Sequence, residues 1–292
     1  MFIATLIAAD RLSSGDVSAA EDALSAANVQ TMGRQWLEED VACDLLIANN
    51  PAGSRAVLEG LIPGVDVVVQ GEADRRKALL VADMDSTMIT IECIDELADY
   101  AGLKVQVAEV TELAMRGDLD FEQALDARVA LLKGLEEQAI DRCHAERLSI
   151  MPGAKALVRT MRANGAQCLL VSGGFTRFAD KVAAEIGFDR AIANRLEIEG
   201  GQLLGTVARP IVGAQAKLDA LLETAAALSL PPEKVLAVGD GANDIPMLEA
   251  AGLGVAYRAK PRTQAAADAR LDHADLSALL YAQGYMRREW VA

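Results

Sequence analysis

Residues 78–85 read ALLVADMD, an unbroken apolar run that ends in two acids one residue apart. A strand without polar alternation is buried on both faces, as in a parallel sheet with helices on each side. The pattern recurs downstream in QCLLVSGG (167–174), KVLAVGDGAND (234–244) and LGVAY (253–257). Helical spacing fills intervals such as 153–163 and 214–228. Strands alternating with helices predict an α/β fold built on a parallel sheet. Ligands of such sheets sit beyond the carboxyl ends of the strands. The polar clusters DMDST, SGG and GDGAND all fall at those ends.

Two regions depart from this rhythm. Residues 90–150 are polar and helical (IDELADYAG, VQVAEVTELAMRG, FEQALDARVALLKG), and Met151-Pro152-Gly153 restarts the sheet pattern. They read as a helical cap inserted over the strand ends. Upstream, 2–8 and 65–70 read as strands, 17–27 and 53–61 as helices, and 29–37 and 41–48 as strands. The order βαββαβ predicts a ferredoxin-like sandwich. GEADRRK (71–77) reads as a linker, so the division falls at 1–75 and 76–292. Residues 195–207 read as a hairpin turning at Gly200-Gly201.

The 292 residues are 52% apolar and 24% charged, which are globular proportions. Lys plus Arg number 28 and Asp plus Glu 43, for a net charge of −15. So acidic a surface argues against nucleic acid and anionic membranes as partners. Four separated cysteines (Cys43, Cys93, Cys143, Cys168) and two histidines (His144, His273) argue against zinc and for buried, reduced thiols. The opening MFIATLIAAD lacks a basic leader, and no stretch is long enough to span a bilayer. A soluble, cytoplasmic protein is expected.

Asp83 and Asp85 cannot both ionise freely at this separation unless a cation or a shared proton relieves them. D-x-D-S-T therefore reads as a metal site, an acid/base pair or a helix cap. Asp240 and Asp244 flank Gly241 and Asn243, which suits a close backbone approach to a ligand or a capped turn. Carboxylates on two strand ends, with no His or Cys, suit Mg²⁺. Ser172-Gly173-Gly174 offers a hydroxyl and free N–H groups at a strand-to-helix turn, a cradle for an oxyanion. Lys217 alone reads as an ordinary helix lysine. Together the clusters describe phosphoryl transfer through an aspartyl phosphate.

DMDST (83–87), SGGF (172–175), Lys217 and GDGANDIPML (239–248), in that order, resemble the four motifs of the haloacid dehalogenase superfamily of phosphohydrolases. The resemblance covers about residues 78–260. It implies a Rossmann-like parallel sheet with a helical cap. It also implies Asp83 as nucleophile and Asp85 as general acid/base. Mg²⁺ would be held by Asp83, the main-chain carbonyl of Asp85 and Asp240, with Asp244 in support. Ser172, Gly173 and Lys217 would hold phosphate, and Asn243 would meet the substrate or the attacking water.

The D-x-D-S-T-x-x-x-x-E spacing ending at Glu92, the helical insertion and SGGF-T-x-F-A narrow the resemblance to the branch that acts on O-phospho-L-serine. That small molecule carries an ammonium and a carboxylate, so its site needs a buried acid and a buried base. Glu92 and Arg128 match those roles, and Met115 and Phe121 match an apolar lid. Ordinary alternatives stand beside them: Arg128 paired with Asp126 or Glu122 on an exposed helix, and Phe121 in plain core. The implied reaction releases L-serine and phosphate, the last step of serine synthesis. A phosphotransferase to an amino alcohol such as homoserine, a phosphatase for another small ester, and an amino-acid-sensing regulator with a relic catalytic half are the competing readings. The N-terminal βαββαβ segment resembles an ACT-type fold, compatible with an effector site, homodimer contacts or a structural role.

Overall fold

The computed structural model describes residues 1–116 and 118–291, without the side chain of Met115. The first sheet is antiparallel and is built from β1 (Phe2–Ala8), β2 (Thr31–Glu38), β3 (Ala42–Ile47) and β4 (Val65–Gly71) in the order β2-β3-β1-β4. Helices α1 (Ser14–Ala26) and α2 (Pro51–Leu58) complete the βαββαβ order expected from the sequence. Ser13 and Asp16 form a reciprocal capping box that starts α1. Asn50 caps α2, with Pro51 at its first position. Leu6, Val17, Leu24, Leu45, Leu58 and Val67 fill the space between this sheet and its helices.

The second sheet is parallel, with six strands in the order β12-β11-β10-β5-β6-β7. They are β5 (Leu79–Ala82), β6 (Gln167–Phe175), β7 (Arg190–Asn194), β10 (Val235–Gly239), β11 (Leu253–Tyr257) and β12 (Ala269–Leu271). Between β7 and β10 lies the hairpin β8 (Leu196–Glu199) and β9 (Gln202–Val207), turning where the glycine pair predicts. Both faces of β5 are buried, each against a different layer. Leu80 and Ala82 share a core with Leu157 and Met161 of α7 (Ala154–Ala163) and Phe178 and Val182 of α8 (Thr176–Ile186). Leu79 and Val81 share the other with Leu221 of α9 (Ala214–Ala227) and Met247 of α10 (Ile245–Ala250). That two-sided burial is why 78–82 shows no polar alternation.

The cap consists of α3 (Cys93–Tyr100), α4 (Lys104–Arg116), α5 (Phe121–Leu131) and α6 (Gln138–Arg147). A bridge between Ile89 and Ile150 closes its neck, so the insertion leaves and rejoins the sheet at one place. Short helix α11 (Pro261–Ala266) joins β11 to β12, and α12 (Ala278–Ala282) follows β12 and packs under the first sheet. Ile7, Val68, Leu276 and Leu279 belong to one continuous core.

The stretch 71–77 is more than a tether. Arg75 grips the buried Asp44 carboxylate with both guanidinium nitrogens, at 2.6 and 2.7 Å, and donates to the Ala282 and Tyr281 carbonyls. Asp66 accepts the N–H groups of Asp272, His273 and Ala274. All four cysteines are free and buried, and burial lifts the thiols of Cys43 and Cys143 to about 11 and Cys168 to about 12. They therefore pack as small apolar groups. No described helix is long and apolar enough to cross a membrane.

Candidate active site

Sheet register brings the separated motifs together. Ala82 of β5 lies opposite Val238 of β10 on one side and Leu170 of β6 on the other. The chain runs from β5 to β6 and β7 and then returns to β10 beyond β5. A crevice opens where the direction of winding reverses, and Asp83 and Asp240 stand on its two edges. The Asp83 N–H donates to the Val238 carbonyl at 3.0 Å, extending the ladder by one residue. The chain then turns sharply. The Met84 carbonyl accepts from Thr87, Met88 and Ile89, and Ser86 adopts the left-handed conformation.

Lys217 is the hub of the site. It is 0% exposed, and its Nζ lies 2.6 Å from Asp83 Oδ1 and 2.6 Å from Asp244 Oδ1. The ordinary surface reading of this lysine is therefore wrong. The other oxygen of Asp244 accepts the N–H groups of Asp240 and Gly241 at 3.1 and 2.9 Å. This shapes the loop that carries Asp240. Gly239 is required there, because a Cβ would sit 2.4 Å from the Asp244 carboxyl. Thr87 Oγ1 donates to Asp240 Oδ1 at 3.1 Å, tying the DMDST turn to the same loop.

Asp83, Asp240 and Asp244 each offer a carboxylate oxygen within 4.8 Å of one another. Burial, and then the negative charge of Asp244, raises Asp83 well above the usual carboxylate range and lifts Asp240 to about 6. Lys217 is held charged by Asp244 and Asp83 despite its burial. One lysine cannot neutralise three converging acids, and hard oxygen donors with no sulfur or imidazole suit a divalent cation such as Mg²⁺. The donor set fits the metal implied by the sequence.

Asp85 occupies a different position. Its Oδ1 is buried with no hydrogen-bond partner among the described residues. Burial, and then the charge of Glu92, pushes its pKa up to about 7. A Cβ on Gly174 would lie 2.9 Å from Asp85 Oδ2, so glycine leaves room for this carboxyl. Ser172 is buried, and its Oγ accepts the Gly174 N–H at 2.8 Å, which leaves the hydroxyl proton available to a ligand oxygen.

Above this buried cluster opens a cavity of about 600 Å³ whose far wall is the cap. Asp83, Asp85, Glu92, Phe121, Arg128, Ser172, Gly173, Asp240 and Asn243 all face it. Met115 lies in α4, and its side chain falls outside the described residues. Two expectations need correction. Glu92 is exposed and Arg128 half-buried, whereas the sequence reading required both to be buried. They stand on the walls of an open cleft, where water still reaches them. Glu92 accepts the Ser86 hydroxyl at 2.6 Å, and among the described residues Arg128 donates only to the Ala124 carbonyl of its own helix. Arg128 is not paired with Asp126 or Glu122, because both acids bind Arg209. Phe121 is not plain core. It is 36% exposed, and its ring lies against Gly173 and Gly213, where added Cβ atoms would come within 3.1 and 3.2 Å.

Asn194 is part of the site and carries no motif. It ends β7, is 1% exposed, and donates to the Gly173 carbonyl at 2.9 Å and the Val212 carbonyl at 3.3 Å. Its Oδ1 accepts the Val212 N–H at 2.8 Å. It thus ties the SGG turn to the loop that launches α9 and Lys217. Lys260 is a second addition, on the cavity rim, with its N–H 3.4 Å from the Asp240 carbonyl. Neither has a signal in sequence beyond a polar residue near a strand end.

Crowded acids, a buried lysine and an oxyanion cradle under a cap define a phosphoryl-transfer hydrolase site. The family model of the haloacid dehalogenase-like hydrolases matches residues 80–249, and the chain belongs to that family. Several curated relatives within it share one name. The chain is 48% identical over 227 residues to phosphoserine phosphatase SerB2 of Mycobacterium tuberculosis, covering 77% of this chain and 55% of that one. It is 44% identical to the phosphoserine phosphatase of Albidiferax ferrireducens, covering 75% of this chain and 96% of the relative. A crystal structure of a probable phosphoserine phosphatase from Vibrio cholerae superposes with a TM-score of 0.78 at 35% identity, covering 99% of this chain and 87% of that one. The chain spans only 55–63% of the length of the M. tuberculosis relative and two further curated ones.

Proposed function

We propose that this chain hydrolyses O-phospho-L-serine to L-serine and phosphate through an aspartyl phosphate. The observation that carries the reading is the division of labour between two neighbouring acids. Asp83 is held against Lys217 at 2.6 Å, while Asp85 faces the same cavity with an unpartnered oxygen and a pKa near neutrality, at about 7. The names of the similar proteins and the unpaired Arg128 on the cap supply the substrate.

Asp83 attacks phosphorus, and the bond from phosphorus to the serine oxygen breaks as Asp85 delivers its proton to that oxygen. Asp85, now ionised, takes a proton from water as the water attacks the phosphoaspartate. That step releases phosphate and restores both acids. A pKa near neutrality suits a group that must both give and receive a proton. Lys217, the Ser172 hydroxyl and the N–H groups around Gly173 hold the phosphoryl oxygens throughout. Asn243 stands beside this position in the same cavity. Asp83, Asp240, Asp244 and the Asp85 carbonyl would hold Mg²⁺, which neutralises phosphoryl charge when bound. Arg128 takes the substrate carboxylate, Glu92 the ammonium, and Phe121 covers the cleft. The same reading treats 1–75 and 76–292 as two domains, and places the reaction at the end of serine synthesis.

The test is phosphate release from O-phospho-L-serine, phosphothreonine, phosphoethanolamine and p-nitrophenyl phosphate, with Mg²⁺ and with EDTA. The reading expects phosphoserine to lead and EDTA to abolish release. Equal rates on all four esters would reject the substrate, and metal-independent release would reject the cofactor.

A further inference from the structure

The cap is not closed by its own helices alone. Hairpin β8–β9, which the chain forms some 50 residues after leaving the cap, joins the cap through backbone hydrogen bonds. Gly134 N–H donates to the Leu203 carbonyl at 2.8 Å, Leu203 N–H to Leu135 at 2.9 Å and Glu137 N–H to Gly201 at 2.9 Å. Gly205, at φ +80°, lets β9 press on α5, since a Cβ there would lie 2.9 Å from Lys133 Cβ and 3.3 Å from the Ala130 carbonyl. Two residues beyond the end of β9 stands Arg209, whose guanidinium reaches Asp126 at 2.5 Å and Glu122 at 3.6 Å.

Helix α5 has two working faces. Phe121, Leu125 and Arg128 fall one or two turns apart and line the catalytic cavity. Glu122 and Asp126, spaced i,i+4, form the other face and belong to Arg209. Which face meets the cavity depends on the roll of the helix about its axis. Backbone bonds from the hairpin hold the turn just after α5, whereas Arg209 is the cation that grips its first two turns among the described residues. Its charge also offsets part of that of the two acids closest to Arg128 in sequence, so they weaken the attraction of Arg128 for a carboxylate less.

We propose that Arg209 is a positioning residue for substrate recognition: it sets the roll of α5 and so holds Arg128 toward the cavity. This rests on the reading of Arg128 as the carboxylate site. The ion pairs are about half exposed, so the effect is modest and falls on binding rather than on the chemical step.

The experiment compares Arg209→Ala and Arg209→Lys with the unaltered chain, using O-phospho-L-serine and phosphoethanolamine, which lacks the carboxylate. Arg209→Ala is expected to raise KM for phosphoserine about fivefold, with kcat within about twofold and phosphoethanolamine kinetics unchanged, while Arg209→Lys recovers most of the loss. Equal losses on both esters, or no change on either, would overturn the proposal. If the unaltered chain treats the two esters alike, the reading of Arg128 fails instead. Amide hydrogen exchange across 121–131 then decides alone: faster exchange in Arg209→Ala supports the seat, and unchanged exchange overturns it.

Discussion

Replacing Lys217 with Met keeps most of the side-chain volume and deletes the one cation in the acidic cluster. Lys217 is fully buried between Asp83 and Asp244, at 2.6 Å from each. Breaking a buried ion pair by removing one partner costs about 3–5 kcal/mol, because a charge is left without compensation. Here the loss can be relieved by protonation. Asp244 keeps its two backbone donors, whereas Asp83 is already raised well above the usual range by burial and by Asp244. The lysine lowers Asp83, so its removal raises that group further. The folded variant then holds a proton that the unfolded chain releases above about pH 4. A carboxylate raised in the folded state loses stability as pH rises, by about 1.4 kcal/mol per unit for each extra proton held. The deficit relative to the unaltered chain should therefore widen as pH rises, toward about 3–5 kcal/mol once Asp83 of the unaltered chain is ionised. Urea unfolding in EDTA at several pH values, followed by Trp36 and Trp290 fluorescence, measures it. A deficit that stays flat across pH, or remains below about 1 kcal/mol at pH 8, refutes the reasoning.

Asp83→Asn should abolish turnover yet raise the melting temperature in EDTA at pH 8, since one crowded buried carboxylate is gone; a marked drop in melting temperature would count against the electrostatic account. Magnesium binding should release protons near pH 6, where Asp240 at about 6 is half protonated, and fewer at pH 8. Titration calorimetry in buffers of different ionisation heat reads the proton count, and none at pH 6 would contradict the assignment. Asn194→Leu leaves the Val212 N–H and two carbonyls unpaired, so it should cost about 2–4 kcal/mol and weaken inhibition by inorganic phosphate. Lost stability with unchanged phosphate inhibition would reduce Asn194 to a structural tie.

The sheet was legible because burial on both faces leaves a plain mark. An apolar run such as LLVA at 79–82 allows few other structures, and the acids that follow it stand where the strand must end. Arg75 was not legible. Its run, GEADRRK, has the composition of a tether, and only the buried Asp44 opposite shows it to be anchored. Asn194 and Arg209 were hidden for a related reason. Each acts across segments far apart in the chain, and hydrogen-bond capacity alone does not reveal which partners will be near. Glu92 and Arg128 were found by spacing, but their exposure follows from the width of the cleft, which local sequence does not set.

By itself the sequence determined the residue types and their order along the chain: four acids and a glycine turn near the ends of apolar runs, and a lysine on a helix between them. Those are local properties, set by side-chain chemistry and by the period of burial. The tertiary structure decided which of these meet. Pairing Ala82 with both Val238 and Leu170 gathers Asp83, Asp240 and Ser172 into one crevice. Packing of α9 against that sheet turns Lys217 from a surface lysine into a buried counter-ion. Asp83 and Asp85, two residues apart, end in unlike surroundings because the turn after β5 sends one toward the lysine and the other toward the open cavity. That difference rests on distance and desolvation, which only a folded chain possesses.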